Sequence, residues 1–185
     1  LEGSYGLFKG EGILIMQYIL DFILLGVIYF LFFFEKWKKK KRERFILYSL
    51  VYVYISLVIF VTLMPFSFLI PGSNSLFLET VNLTPFIDIK LHHGGAVREV
   101  ILNIIMMIPF GFLMPFIKRR KIFSIACWSF IFSLSIETMQ LLDVWSGGIN
   151  NRAFDVTDLI TNTLGGILGY IVYLVIRPII KRLNK

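Results

Sequence analysis

Three stretches of this sequence place polar groups inside apolar surroundings. In SLSIETMQ, Ser133, Glu137 and Gln140 are four and three residues apart, so on a helix they share a face. In NRAFDVTDLITNTLGG, Asp155, Asp158 and Asn162 are spaced by three and four and do the same, with Arg152 three residues ahead of them. Asn103 stands in REVILNIIMMIPFGF. The chemistry open to this set is recognition of a polar ligand or acid–base catalysis. Arg152 offers the planar donor fork that clamps a phosphate or carboxylate. Glu137 is the candidate general acid or base, with Asp158 orienting it or the substrate. Asn103, Gln140, Asp155 and Asn162 are the candidate ligand contacts. A second reading stands beside this one: Arg152, Glu137 and Asp158 form an interhelical ion-pair network and the amides bond helix to helix.

Other chemistries find less support. Carboxylates with amide oxygens have the ligand character of a divalent-cation site, but nothing in their spacing selects one, and His92 and His93 are adjacent and diverge on a helix. No phosphate-binding loop, dinucleotide loop or nucleophile elbow occurs. No metal and no cofactor is therefore expected. The single cysteine, Cys127, excludes an intramolecular disulfide.

The elements that must position these residues are set by composition. Hydrophobic residues make up 57% of the 185, and the mean hydropathy is +0.77, far outside the range of water-soluble folds. They fall in five runs, 13–34, 45–70, 98–117, 122–142 and 156–176. Each is about 20–26 residues long, against the roughly 20 needed to cross a hydrocarbon core of ~30 Å. The expected fold is all-α, a polytopic bundle of five transmembrane helices in a single membrane domain, residues 1–185. A charge at the depth of Glu137, roughly 7 Å inside the end of its run at helical rise, costs a few kcal/mol unless it is paired, solvated or turned toward a protein-lined cavity. Pro109 and Pro115 predict a kink or local unwinding in the third span. Gly165 and Gly169 form a G-x-x-x-G pair that lets another helix approach closely, within one protomer or in a homo-oligomer.

Charge orients the bundle. EKWKKKKRER, KRRK and RPIIKRLNK hold 15 of the 19 lysines and arginines but only two of the 12 acids, and they lie at the same end of successive spans. The positive-inside rule makes that end cytoplasmic, with the N-terminus outside, the C-terminus inside and the polar cluster extracytoplasmic. The formal net charge of +7 is then a topology signal, and nucleic acid is not an expected partner. In the long outer loop, Phe77, Leu83, Phe86, Ile87, Ile89 and Leu91 are expected to dip into the headgroup zone, and Thr84 before Pro85 is a candidate cap for a short helix. Asn82 begins an N-x-T glycosylation triplet, a pattern that recurs by chance.

The ordered series TLMPF, NLTPF, NIIMMIPFGFLMPF, SLSIETMQ and NRAFDVTDLITNTLGGILG, from about 61 to 169, resembles the VanZ-like family of small bacterial integral membrane proteins. The matching polar positions are Asn103, Glu137, Gln140, Arg152, Asp155, Asp158 and Asn162, and Pro109, Gly111, Gly165 and Gly166 match as backbone-shaping residues. The family's title member is associated with low-level resistance to the antibiotic teicoplanin, so the resemblance implies action at the cell envelope. It does not supply an established reaction, and whether the protein is an enzyme stays open. The expected function is binding or modification of an amphiphile at the outer leaflet: an envelope lipid, a lipid-linked cell-wall precursor or a glycopeptide antibiotic. The alternative is a transporter or flippase of such a molecule. Expected partners are membrane lipids and that ligand.

Overall fold

The computed structural model describes residues 2–66, 74–147 and 154–183. All regular structure among them is helical: α1 (Glu2–Ile28), α2 (Glu35–Lys38), α3 (Arg42–Leu63), α4 (Ile87–Lys90), α5 (Ala96–Ile117), α6 (Ile122–Trp145) and α7 (Val156–Leu183). A π-helical stretch, Tyr29–Phe34, joins α1 to α2, and a 3-10 turn covers Phe77–Thr80. Five segments are long and apolar enough to cross a membrane: Leu14–Lys38, Arg42–Leu63, Ala96–Ile117, Ile122–Trp145 and Val156–Ile179. The chain divides into two compact units, Leu1–Pro71 and Gly72–Lys185.

In the first unit, α3 stops at Leu63 although the apolar run continues to Ile70. Pro65 accounts for this. The residue before a proline is driven out of the α region, and Met64 is extended at φ −87°, ψ 152°. The main-chain N–H of Phe66 then donates to Asp21 Oδ2 at 3.0 Å. Across the α1–α3 hairpin Tyr29 and Ser49 share a hydroxyl bond of 2.7 Å, and the Tyr52 hydroxyl donates to the Leu25 carbonyl at 2.6 Å. Phe30 and Phe32 are exposed, while Phe33 makes tilted ring contacts with Trp37 and Tyr52.

The second unit is a three-helix bundle in which α7 packs against both α5 and α6. Lipid tails are as apolar as leucine, so these helices associate through close packing and hydrogen bonds rather than hydrophobic burial. Glycine provides the closeness. A Cβ at Gly165 would lie 2.3 Å from the Ile104 carbonyl oxygen, one at Gly169 2.0 Å from that of Ile108, and one at Gly111 1.8 Å from that of Gly166. The G-x-x-x-G pair therefore packs within the protomer, against α5. Gly165 meeting Ile104 and Gly169 meeting Ile108 makes α5 and α7 parallel, with matched four-residue steps. On the other side Ser129 of α6 abuts Gly166, where a Cβ would come within 1.9 Å of its Oγ.

Helix α5 runs uninterrupted through Pro109 and Pro115, so the unwinding anticipated there does not occur. Both prolines lie within the tightly packed length of the helix, and Pro115 is buried. Toward the basic end, Ile125, Tyr170 and Tyr173 form an apolar core with Phe112, Met114 and Phe116 against it. Phe110 stacks on Phe132 at 5.1 Å, and the Tyr170 hydroxyl donates to the Arg120 carbonyl.

Candidate functional site

The polar cluster forms where α7 begins. Asp155 immediately precedes the first helical residue, and its Oδ1 accepts the main-chain N–H of Thr157 at 2.6 Å. This is an N-cap: one of the helix's unpartnered amides is satisfied, and a negative charge meets the positive end of the helix dipole. Here lies the local reason for an acid at the head of an apolar helix. The other oxygen, Oδ2, accepts the Asn82 side-chain amide at 2.9 Å. Asn82 also pairs with this segment through its backbone, donating its N–H to the Phe154 carbonyl at 2.8 Å and accepting the Val156 N–H at 3.0 Å. Its Oδ1 accepts the Thr84 N–H. All four hydrogen-bonding functions of Asn82 are engaged: three clasp the loop ahead of α5 to the start of α7, and the fourth holds a turn within that loop.

Helix α6 supplies a buried polar stripe: Ser129, Ser133, Glu137, Gln140 and Asp143, spaced by four, four, three and three residues. Glu137 is only 1% exposed, and its Oε2 accepts the main-chain N–H of Asp155 at 2.9 Å. A carboxylate within a spanning helix is thus fastened to the backbone at the mouth of its neighbour. The charge-assisted bond offsets part of its desolvation. One turn deeper, the Asn162 amide donates to Ser133 Oγ at 2.9 Å, and Ser133 Oγ donates to the Asp158 carbonyl at 3.4 Å. From α5, the Asn103 amide donates to Asp158 Oδ1 at 2.6 Å.

Helical spacing alone thus anticipates which residues share a face, and the packing brings those faces together. Asn103, Glu137, Asp155, Asp158 and Asn162 join one connected region, and Gln140 is buried on the α6 stripe beside Glu137. The details differ from pairwise expectation. Glu137 grips the backbone of Asp155, and Asp158 is gripped by Asn103. Arg152, the proposed clamp, lies outside the described residues. Among those described, no group of three His, Cys, Asp or Glu side chains comes together as metal ligands, and His93 Nδ1 pairs instead with Asp88 Oδ1 at 2.8 Å.

A family model described as VanZ/LLP1 matches residues 45–177, which contain every residue of this cluster. The chain belongs to the VanZ/LLP1 family. It is similar to Protein VanZ of Enterococcus faecium, with 32% identity over 125 residues, covering 68% of this chain and 71% of that one. No solved structure gives a significant match. Family membership and the five spanning helices make it a multi-pass membrane protein.

Within this VanZ-like core, three residues gain a place that spacing did not assign. Asn82, read as part of a chance glycosylation triplet, is the clasp on Asp155. Its signal was present in the NLTPF motif that carries the family resemblance. Thr157 accepts the Phe86 N–H at 3.0 Å and makes a second tie to the same loop. Asp143 is 4% exposed, and it continues the three- and four-residue rhythm of Glu137 and Gln140. The short helix α4 is not capped by Thr84; Phe86, in the left-handed conformation at φ 58°, precedes it and no side chain caps it.

Proposed function

We propose that the polar end of the second unit binds the headgroup of an amphiphile from the outer leaflet, and thereby contributes to glycopeptide resistance of the teicoplanin type. The ligand class is an envelope lipid, a lipid-linked cell-wall precursor or the glycopeptide itself. The supporting observation is Glu137: a carboxylate 1% exposed in a spanning helix and bonded to the N–H that opens the next one. Intramembrane ionisable groups face protein interiors or pathways and are retained for function. In this reading Arg152 takes the anionic group of the ligand, and Asn103, Gln140, Asp155 and Asn162 take its hydroxyls and amides. Where turnover follows binding, Glu137 is the acid or base and Asp158 orients it. The basic segments at the opposite helix ends support an extracytoplasmic position for this end.

A transporter or flippase is the second reading, and one observation favours it. The buried stripe of α6 extends from Asp143 to Ser129, about 21 Å at helical rise, which is a long polar seam for a headgroup site alone.

The deciding experiment compares wild type and Glu137→Gln in vesicles. It measures equilibrium binding of fluorescent teicoplanin and of a fluorescent polyprenyl-pyrophosphate-linked glycan, followed by transbilayer movement of whichever binds. At least tenfold weaker binding by a folded, monodisperse Glu137→Gln protein is expected. Unchanged binding, or binding by neither protein, sinks the headgroup reading. Glu137-dependent flux selects the transporter.

A further inference from the structure

The outer loop sorts its apolar residues into two sets. Phe77, Phe86, Ile87 and Ile89 are half-buried, while Leu76, Leu78 and Leu83 are 59%, 65% and 68% exposed. The expectation that Phe77, Leu83, Phe86, Ile87, Ile89 and Leu91 dip into the headgroup zone is therefore divided: the aromatic and β-branched residues among them turn inward, and Leu83 and Leu91 point out. The loop does not hang free. Asn74 N–H donates to the Trp145 carbonyl at 3.1 Å, Asn82 is clasped to Phe154, Asp155 and Val156, and Phe86 N–H donates to Thr157 Oγ1. Three attachments, at the last residue of α6 and the first turn of α7, hold the leucines in fixed display.

We infer that Leu76, Leu78 and Leu83, together with Trp145, form a docking surface for the lipid headgroup and glycerol zone of the membrane that the helices span. The attachment points identify the partner. Helix α6 is 24 residues long, about 36 Å against a hydrocarbon core of ~30 Å, so a loop tied to its last residue lies at the membrane boundary. Met139, Leu142 and Trp145 are all exposed and three residues apart, forming a ridge along α6 that leads from the lipid-facing side to the point where Asn74 is tied. Tryptophan at the end of that ridge has the residue type and position of an interfacial anchor. Three widely exposed leucines on a loop tied to that residue need an apolar covering that water does not provide. Asn82 lies between Leu78 and Leu83, so docking sets the polar cluster at headgroup level, open to approach from within the leaflet. This surface meets the membrane whatever the cluster binds, and no ligand enters its test.

The test is depth-resolved quenching in phosphatidylcholine vesicles. Trp37→Phe with Trp128→Phe leaves Trp145 as the sole emitter. Adding Trp145→Phe and either Leu78→Trp or Leu83→Trp moves the emitter into the loop. Lipids brominated at the headgroup end of the acyl chain are expected to quench all three proteins at least twofold, lipids brominated at the methyl end less, and aqueous iodide hardly at all. Quenching of positions 78 and 83 by iodide, with brominated lipids inert, overturns the proposal. So does protection from both quenchers, which would mean that protein, a second copy included, covers the leucines. If tryptophan there prevents folding, a nitroxide on Leu78→Cys or Leu83→Cys in a Cys127→Ser background reads the same depth through oxygen against nickel accessibility.

Discussion

At the scale of single residues, the site consists of carboxylates with named donors. Asn103 and Asn82 each give an amide to an aspartate, at 2.6 and 2.9 Å, and the two bonds do different work. Asn103→Leu leaves Asp158 without its α5 donor in a largely apolar setting and is expected to destabilise by about 0.6–2 kcal/mol, the range for interhelical polar contacts in membranes and for stranded acceptors. Asn82→Ala keeps the backbone pairing but loses the side-chain bonds to Asp155 and Thr84, at a cost of about 1.5–3 kcal/mol. Thermal unfolding in detergent, followed by circular dichroism, checks both. If Asn82→Ala unfolds at the wild-type temperature, the clasp is not a stabilising contact. The face-sharing of Glu137 with Gln140, and of Asp158 with Asn162, was readable in the sequence because helical period alone decides it. The role of Asn82 was not, because its partner lies 73 positions away and N-x-T has a commonplace meaning of its own.

At the scale of elements, the α5–α7 seam decides whether the cluster can assemble. Both helices present backbone to each other, so any side chain at the contact must displace a carbonyl. Gly111→Ala and Gly169→Ala are each expected to cost at least about 3 kcal/mol, at or beyond the upper end of ordinary overpacking, since the group met is a backbone carbonyl and cannot rotate away. Gly26→Ala is the control: a Cβ there meets nothing within 4 Å, and the exchange gains roughly 0.5–1 kcal/mol of helix propensity. Yield of monodisperse protein and thermal midpoint distinguish them, and equal tolerance of all three would refute the close approach. G-x-x-x-G announced a packing face; which helix it would meet was undecided, since the motif describes one surface and never its complement. Local unwinding at the prolines of α5 is absent for a related reason. Proline removes a donor locally, but packed neighbours keep the helix whole.

At the scale of the whole molecule, five spanning helices and membership of the VanZ/LLP1 family make this a multi-pass membrane protein. Its orientation is a prediction from the basic segments. Single cysteines placed at Lys39 and at Asp88 in a Cys127→Ser background should divide in intact cells. Position 88 should react with a membrane-impermeant maleimide, and position 39 only after the membrane is opened. The reverse pattern would turn the polar cluster toward the cytoplasm and remove the outer-leaflet ligand class from consideration.

The sequence by itself determined the number of spans, the faces on which polar residues fall and the family, because each depends on run length, period or ordered motifs along the chain. Only the tertiary structure decided that Glu137 holds the N–H of Asp155, 18 positions away, that Asn103 holds Asp158 across 55, and that the glycine seam closes on α5. The physical reason is that these partners meet through helix packing. No periodicity within one helix records which face of another will lie against it.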